Sequence, residues 1–313
     1  MTAALQSVLL IFLVIATGFV ATRRGVLRGE EGGVLTRLVM VLALPPLMVH
    51  TLSQSLDRRL LLQAGWGLLL PLLGMVATAM LAPAASRLGR VPVGRRGTFA
   101  AMFSASNAIF IGLPVNLALF GDPALPYVLL YYVANTTFFW TWGAHGIERD
   151  AGHTLPLLGW GHLRRVLSPP FLGFLAGLAL LLLDLKLPAP VAAACRHLGA
   201  MTTPLSLLFM GVTFATLTWA ELRPTRDLGV LLVGRFILSP GLVLLGAWAL
   251  SLPPLMAKVF VVSAGLPAIT QSALVAQAVA ADPRYATVMV SATNLGMLVA
   301  LPLWVAVLGL VWP

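Results

Sequence analysis

Residues 106–116 read Ser106-Asn107-Ala108-Ile109-Phe110-Ile111-Gly112-Leu113-Pro114-Val115-Asn116 and lie inside an apolar run, near 97–120, long enough to cross a bilayer. Two amides, a glycine and a proline are costly in the middle of such a run. Proline removes one backbone hydrogen bond and clashes with the preceding turn, at roughly 3 kcal/mol or more inside a helix. In hydrocarbon no water satisfies the carbonyls that this frees. Gly112 tolerates backbone angles that other residues avoid. The stretch therefore predicts a break: a half-helix ending near Phe110, a short turn, and a new helix starting at Pro114, since proline suits the first helical position. A simple proline kink is the alternative reading from this stretch alone.

The composition places the break in a membrane. The chain has 313 residues, 59% of them apolar and 10% charged, with mean hydropathy +0.95. A soluble chain of this length needs far more charge to cover its surface, so the sequence reads as an all-α polytopic membrane protein whose main solvent is the lipid bilayer. Twenty basic residues stand against ten acidic ones, and the basic residues sit in short loops between apolar runs. That is the pattern of topology signals, and no nucleic-acid partner is expected. The single cysteine, Cys195, excludes an internal disulfide and a cysteine metal site. No cofactor and no metal are expected.

Apolar runs recur near 4–21, 34–52, 60–82, 97–120, 125–146, 169–186, 190–217, 227–250, 255–279 and 285–311. Each meets the length of about 20 residues that a span needs. The first is followed by Arg23 and Arg24 rather than preceded by charge, the reverse of a signal peptide, and reads as a span. Ten spans put fourteen arginines on one side, among them Arg87, Arg95, Arg96, Arg149, Arg164, Arg165, Arg223 and Arg284. Five basic residues, Arg58, Arg59, Lys186, Arg196 and Lys258, fall on the other. By the positive-inside rule the larger group faces the cytoplasm and both termini face outward. The expected location is the cytoplasmic (inner) membrane.

Motifs repeat in order along the two halves. Gly112-Leu113-Pro114 is matched by Gly265-Leu266-Pro267. Asp122-Pro123 is matched by Asp282-Pro283, Tyr127 by Tyr285, and Asn135-Thr136-Thr137 by Thr293-Asn294. Pro45 answers Pro204, and Pro71 answers Pro240. The reading is two five-span repeats, 1–146 and 168–313, joined by a cytoplasmic loop, 147–167. Five is odd, so the second repeat enters from the opposite side, a common build of secondary transporters.

On this reading span nine breaks before Pro267 as span four breaks before Pro114. Each new half-helix then points its N-terminus, with unpaired amides and partial positive charge, into mid-membrane. Two such ends meeting from opposite sides favour an anion. Asn107 and Asn116 can bind exposed backbone or a ligand, and Thr270, Gln271 and Ser272 offer the equivalent after Pro267. The ten acidic residues, including Glu30, Asp57, Glu148, Asp150 and Glu221, lie in loops or at span ends. A chain without a mid-membrane carboxylate is poorly equipped to pump cations.

Arg235 lies about eight residues into span eight, roughly 12 Å deep at 1.5 Å per residue. Two readings stay open: it pairs with a substrate carboxylate, or it snorkels to the headgroups. His50, near the outer end of span two, reads as an interfacial histidine or a proton sensor. The other histidines, His145, His153, His162 and His197, fall in loops or at span ends. No His-Glu-x-x-His, no Gly-x-Ser-x-Gly and no buried carboxylate pair occurs, so an enzyme is not expected.

The stretch "NAIFIGLPVNLALFGD" resembles the fourth-span signature of the auxin efflux carrier family, and "AGLPAITQSALVAQAVAADP" resembles its ninth-span counterpart. "RLVMVLALPPLMVHTL" and "MTTPLSLLFMGVTFATL" resemble its second and seventh spans. Ile109 departs from the family pattern, which often has glycine there. The resemblance implies ten spans in two inverted repeats with crossed broken helices, similar to bile-acid transporters and sodium/proton antiporters. It implies a scaffold of spans one, two, six and seven and a transport domain of the rest. It also implies organic-anion transport, a compact bacterial type with a short central loop, and a homodimer. Asn107, Gly112, Pro114 and Pro267 would line the crossover, with Asn116, Gly265, Thr270, Gln271, Asn135, Asn294 and Arg235 as further substrate-site candidates. A sodium- or proton-coupled transporter of the same fold, its cation bound by amides, hydroxyls and carbonyls, is the alternative.

Overall fold

The computed structural model describes residues 2–29, 31–55, 65–152, 167–216 and 224–312. Glu30, Asp57, Arg58, Arg59, His153, His162, Arg164, Arg165, Glu221 and Arg223 lie outside them, as does most of the loop 147–167. The described residues form sixteen α-helices with short π and 3-10 turns and a single isolated β-bridge.

In chain order these are α1 (Thr2–Arg23), α2 (Glu31–Arg37), α3 (Leu44–His50), α4 (Leu69–Leu88), α5 (Arg96–Ser104), α6 (Gly112–Phe120), α7 (Leu125–Phe138) and α8 (Ala144–Asp150). The second half holds α9 (Pro169–Leu182), α10 (Ala189–Ala200), α11 (Thr202–Thr216), α12 (Arg226–Val233), α13 (Ser239–Ala249), α14 (Pro254–Ala264), α15 (Gln271–Ala278) and α16 (Pro283–Val311). Among the described residues, five continuous stretches are long and apolar enough to cross a membrane: Glu31–Ser53, Leu69–Leu88, Ala189–Thr216, Arg226–Ala249 and Pro283–Val311. Shorter apolar helices cover Leu9–Arg23, Pro169–Leu182 and Pro254–Ala264.

Not every proline breaks its helix. Pro45 and Pro240 each follow a π-helical turn, Leu38–Ala43 and Gly234–Leu238. The wider turn absorbs the missing donor and the ring clash, so α2 runs on into α3 and α12 into α13. Their expected counterparts sit differently: Pro71 lies in the first turn of α4 and Pro204 in the first turn of α11. Cys195 lies inside α10 and is half-buried.

The helices gather into two clusters. In the first, α1 packs along α11, and α3 packs against α9 and α10. A Cβ on Gly18 would lie 2.4 Å from the Leu208 carbonyl oxygen, and one on Gly211 would lie 2.2 Å from that of Ile15. In hydrocarbon there is no hydrophobic drive between helices, and small residues let backbones approach. In the second cluster, α5 packs on α4 and α8, α13 on α14 and α4, and α15 on α16.

Several loop ends collect at one end of the bundle. Arg95 pairs with Asp282 at 2.6 Å, Gly89 packs on Asp227, and Gly29 packs on Thr216. At the same end Asp150 of α8 caps α5. Its carboxylate accepts from Gly97 N (3.0 Å), Thr98 N (2.6 Å) and Thr98 Oγ1 (2.8 Å). Losing such a cap costs about 1–2 kcal/mol. Asp150→Ala is expected to lower the melting temperature in detergent by about 2–6 °C. Asp150→Asn should lose less, because its amide oxygen still accepts. An unchanged melting temperature in the alanine variant would count against the cap.

Candidate functional site: the crossing of two broken helices

The chain leaves the helix earlier than the proline suggests. α5 ends at Ser104, Ala105 is extended (φ −98, ψ 140), and α6 begins at Gly112 with Pro114 as its third residue. α14 ends at Ala264 and α15 begins at Gln271, so Pro267 lies inside the second break rather than at the head of a helix. The half-helix expected to run to Phe110 is corrected on the same grounds.

The reason is pairing between the two breaks. Ser106 and Ala268 form an antiparallel bridge. Asn107 N–H donates to Pro267 O at 2.9 Å, and Ile269 N–H donates to Ala105 O at 3.2 Å. These bonds replace helical ones and remove the penalty for non-helical backbone in a dry interior. Gly112 packs close across the crossing: a Cβ there would lie 2.7 Å from Leu266 Cδ1 and displace that side-chain tip. The two Gly-Leu-Pro motifs are therefore not equivalent positions. The first follows its bridging residue, Ser106, and opens a helix, whereas the second precedes Ala268 and follows a helix end.

Neighbouring helices hold the bridging residues in place. Asn135 of α7 accepts from Ser106 N through Oδ1 and donates to Ser106 O through Nδ2, both at 2.9 Å. From α16, Thr293 Oγ1 accepts from Ala268 N at 3.1 Å and donates to Val290 O at 2.7 Å. Thr293, rather than the neighbouring Asn294, reaches the crossing, since one residue along a helix turns the side chain by about 100°. Ser106 Oγ donates to the hydroxyl of buried Tyr131 at 3.3 Å. Ser106 and Tyr131 carry no sequence signal beyond polarity within an apolar run.

Arg235 neither snorkels nor stands free for a carboxylate. It is fully buried, and its guanidinium donates to Ala264 O (2.8 Å), Leu266 O (2.9 and 3.2 Å) and Phe103 O (3.3 Å). Ala264 and Phe103 lie in the last turns of α14 and α5. A helix C-terminus carries orphan carbonyls and partial negative charge. One planar, always-charged fork answers both ends at once.

A side-chain contact also links the two breaks. Asn107 Nδ2 donates to Thr270 Oγ1 at 2.7 Å, and Asn107 Oδ1 accepts from Phe110 N at 3.3 Å. This contact joins the first break, five residues ahead of α6, to the residue just before α15. Asn116 Nδ2 donates to Gly112 O (2.7 Å) and Ser263 Oγ (3.1 Å), which ties α6 to α14. Gly265 packs against Pro240. Asn116 Oδ1, Gln271 Oε1, Ser272 Oγ and Asn294 Oδ1 are buried without a hydrogen-bond partner. His50 closes α3, and no hydrogen bond among the described residues links it to the crossing. None of the hydrogen bonds that hold the crossing involves a carboxylate.

Apolar helices that interrupt themselves around a buried polar crossing define an integral membrane protein of the transporter class. The chain belongs to the membrane transport protein family, that of the auxin efflux carriers: a family model described as "Membrane transport protein" matches residues 3–305. It is similar to a protein of Methanothermobacter thermautotrophicus described as "Uncharacterized transporter". The two are 25% identical over 308 residues, which cover 97% of this chain and 98% of that relative.

Proposed function

We propose that this protein is a secondary transporter that carries small organic anions, carboxylates above all, across the cytoplasmic membrane by alternating access. The observation that carries the reading is the charge at the crossing. The Asn107–Thr270 contact joins the two breaks that lead into α6 and α15, and among the described residues no carboxylate takes part in the hydrogen bonds that hold the crossing. Helix N-termini with no carboxylate beside them favour a negative ligand. The reading includes ten traverses in two inverted five-helix halves. The arginine-rich end faces the cytoplasm, both termini face outward, and the cluster of α1–α3 and α9–α11 is a scaffold against which the rest moves. The family resemblance extends the reading to a homodimer.

A second reading, coupling to sodium or protons, has its own support. Asn116 Oδ1, Gln271 Oε1 and Asn294 Oδ1 are buried acceptors without donors. Such oxygens suit a bound cation or a proton donor.

Charge movement in proteoliposomes separates the two. Jumps of malate, malonate or indole-3-acetate without a sodium or pH gradient are expected to drive negative charge inward for one class of acid. Silence across that panel, with current restored by a sodium or proton gradient, would replace the first reading with the second.

A further inference from the structure

Away from the crossing, a cavity of about 390 Å³ opens where α4, α5 and α8 meet, at the end of the bundle that carries the Arg95–Asp282 pair. Three exposed arginines from three helices line it: Arg87 of α4, Arg96 of α5 and Arg149 of α8. Like charges gathered around one concavity repel unless an anion offsets them. Among the described residues the one carboxylate in the lining is Asp150, and both of its oxygens accept hydrogen bonds in capping α5. It also occupies the α5 N-terminus, so the arginines are the groups left to meet an anion.

One of the three guanidiniums is held in place by the backbone. Arg96 Nε donates to Val91 O at 3.1 Å, which fixes the plane of the guanidinium and leaves its outer nitrogens for another partner. Ser86 adds a hydroxyl that donates to its own helix at Pro83 O (2.9 Å) and retains acceptor capacity. Pro83 and Ala100 form apolar wall, and Trp142 stands half-buried in the lining. Tryptophan favours the level of the headgroups at a membrane surface. Guanidinium forks match phosphate oxygens in geometry and charge, and basic pockets between spans hold lipid headgroups.

We propose that this cavity binds a phosphate-bearing anion, a phospholipid headgroup or a soluble phosphate ester, through Arg87, Arg96 and Arg149. The proposal stands apart from the transport reading, because its test needs no flux.

The test is native mass spectrometry of the detergent-purified full chain titrated with phosphatidylglycerol. Arg87→Gln/Arg149→Gln should weaken retention about thirtyfold, from the loss of two charge contacts near the surface. Arg226→Gln/Arg284→Gln, which removes the same charge from neighbouring exposed positions, should leave retention unchanged. Glycerol phosphate at millimolar level then distinguishes the sources. If it displaces the lipid and binds with the same arginine dependence, the phosphate alone is recognised. If the lipid persists, the site requires the acyl chains as well. Equal retention by wild type and Arg87→Gln/Arg149→Gln would overturn the proposal, as would an equal loss in both double variants.

Discussion

Arg235→Met is expected to abolish transport and to cost on the order of 3–5 kcal/mol of stability, as for a broken buried charge contact. The substitution keeps apolar bulk but removes every donor. Phe103 O, Ala264 O and Leu266 O would then be left without the guanidinium that now answers them. Each unpaired buried carbonyl costs about 1–3 kcal/mol. Two helix C-termini would also face each other with no cation between them, so the break would lose its geometry as well as stability. Arg235→Lys makes the discriminating comparison. It keeps the charge, but one ammonium on a flexible stem cannot reproduce the planar fork across two helices. An intermediate melting temperature with strongly reduced flux is expected. A methionine variant that melts and transports like wild type would show that the fork is dispensable.

Asn107→Ala should separate function from folding. Its amide makes one direct link between the breaks, to Thr270, a residue 163 positions away in the chain. With the bond that Asn107 Oδ1 accepts from Phe110 N, two neutral hydrogen bonds are lost, at about 1 kcal/mol net each, so the melting temperature should fall by about 4–8 °C with the fold retained. Transport should fall about a hundredfold or more, the scale reached when a positioned polar contact to a developing or moving charge is removed. Asn107→Asp sharpens the result. A carboxylate beside the two half-helix N-termini would compete with an anionic substrate and abolish its flux. If cations are the cargo or the coupling ion, the same change should preserve or increase transport. Wild-type flux in the alanine variant would remove Asn107 from the site.

The residues of the crossing differ in how readable they are. Asn107, Asn116 and Asn135 stand out because an amide in hydrocarbon demands a partner. Asn135 does find one, the backbone of Ser106, so it positions the crossing. Thr293 is far less visible, because a threonine can satisfy its own hydroxyl against the preceding helical turn, and part of its bonding does so, to Val290 O. Arg235 was conspicuous as a charge in a span, yet neither a substrate carboxylate nor the headgroups is its partner. Sequence lists charged groups, whereas its true partners are backbone carbonyls that become orphans only after two distant helices have stopped.

The sequence by itself determined residence in the membrane, an all-helical build, and two interrupted spans. Those follow from composition and from glycine and proline chemistry, which act locally. Only the tertiary structure decided where the interruptions lie. Ser104 and Ala264 end their helices because Ser106 meets Ala268, Asn107 N–H meets Pro267 O, and Arg235 caps both ends. In a dry interior a helix stops where other backbone can take over its hydrogen bonds, and that backbone comes from the other half of the chain.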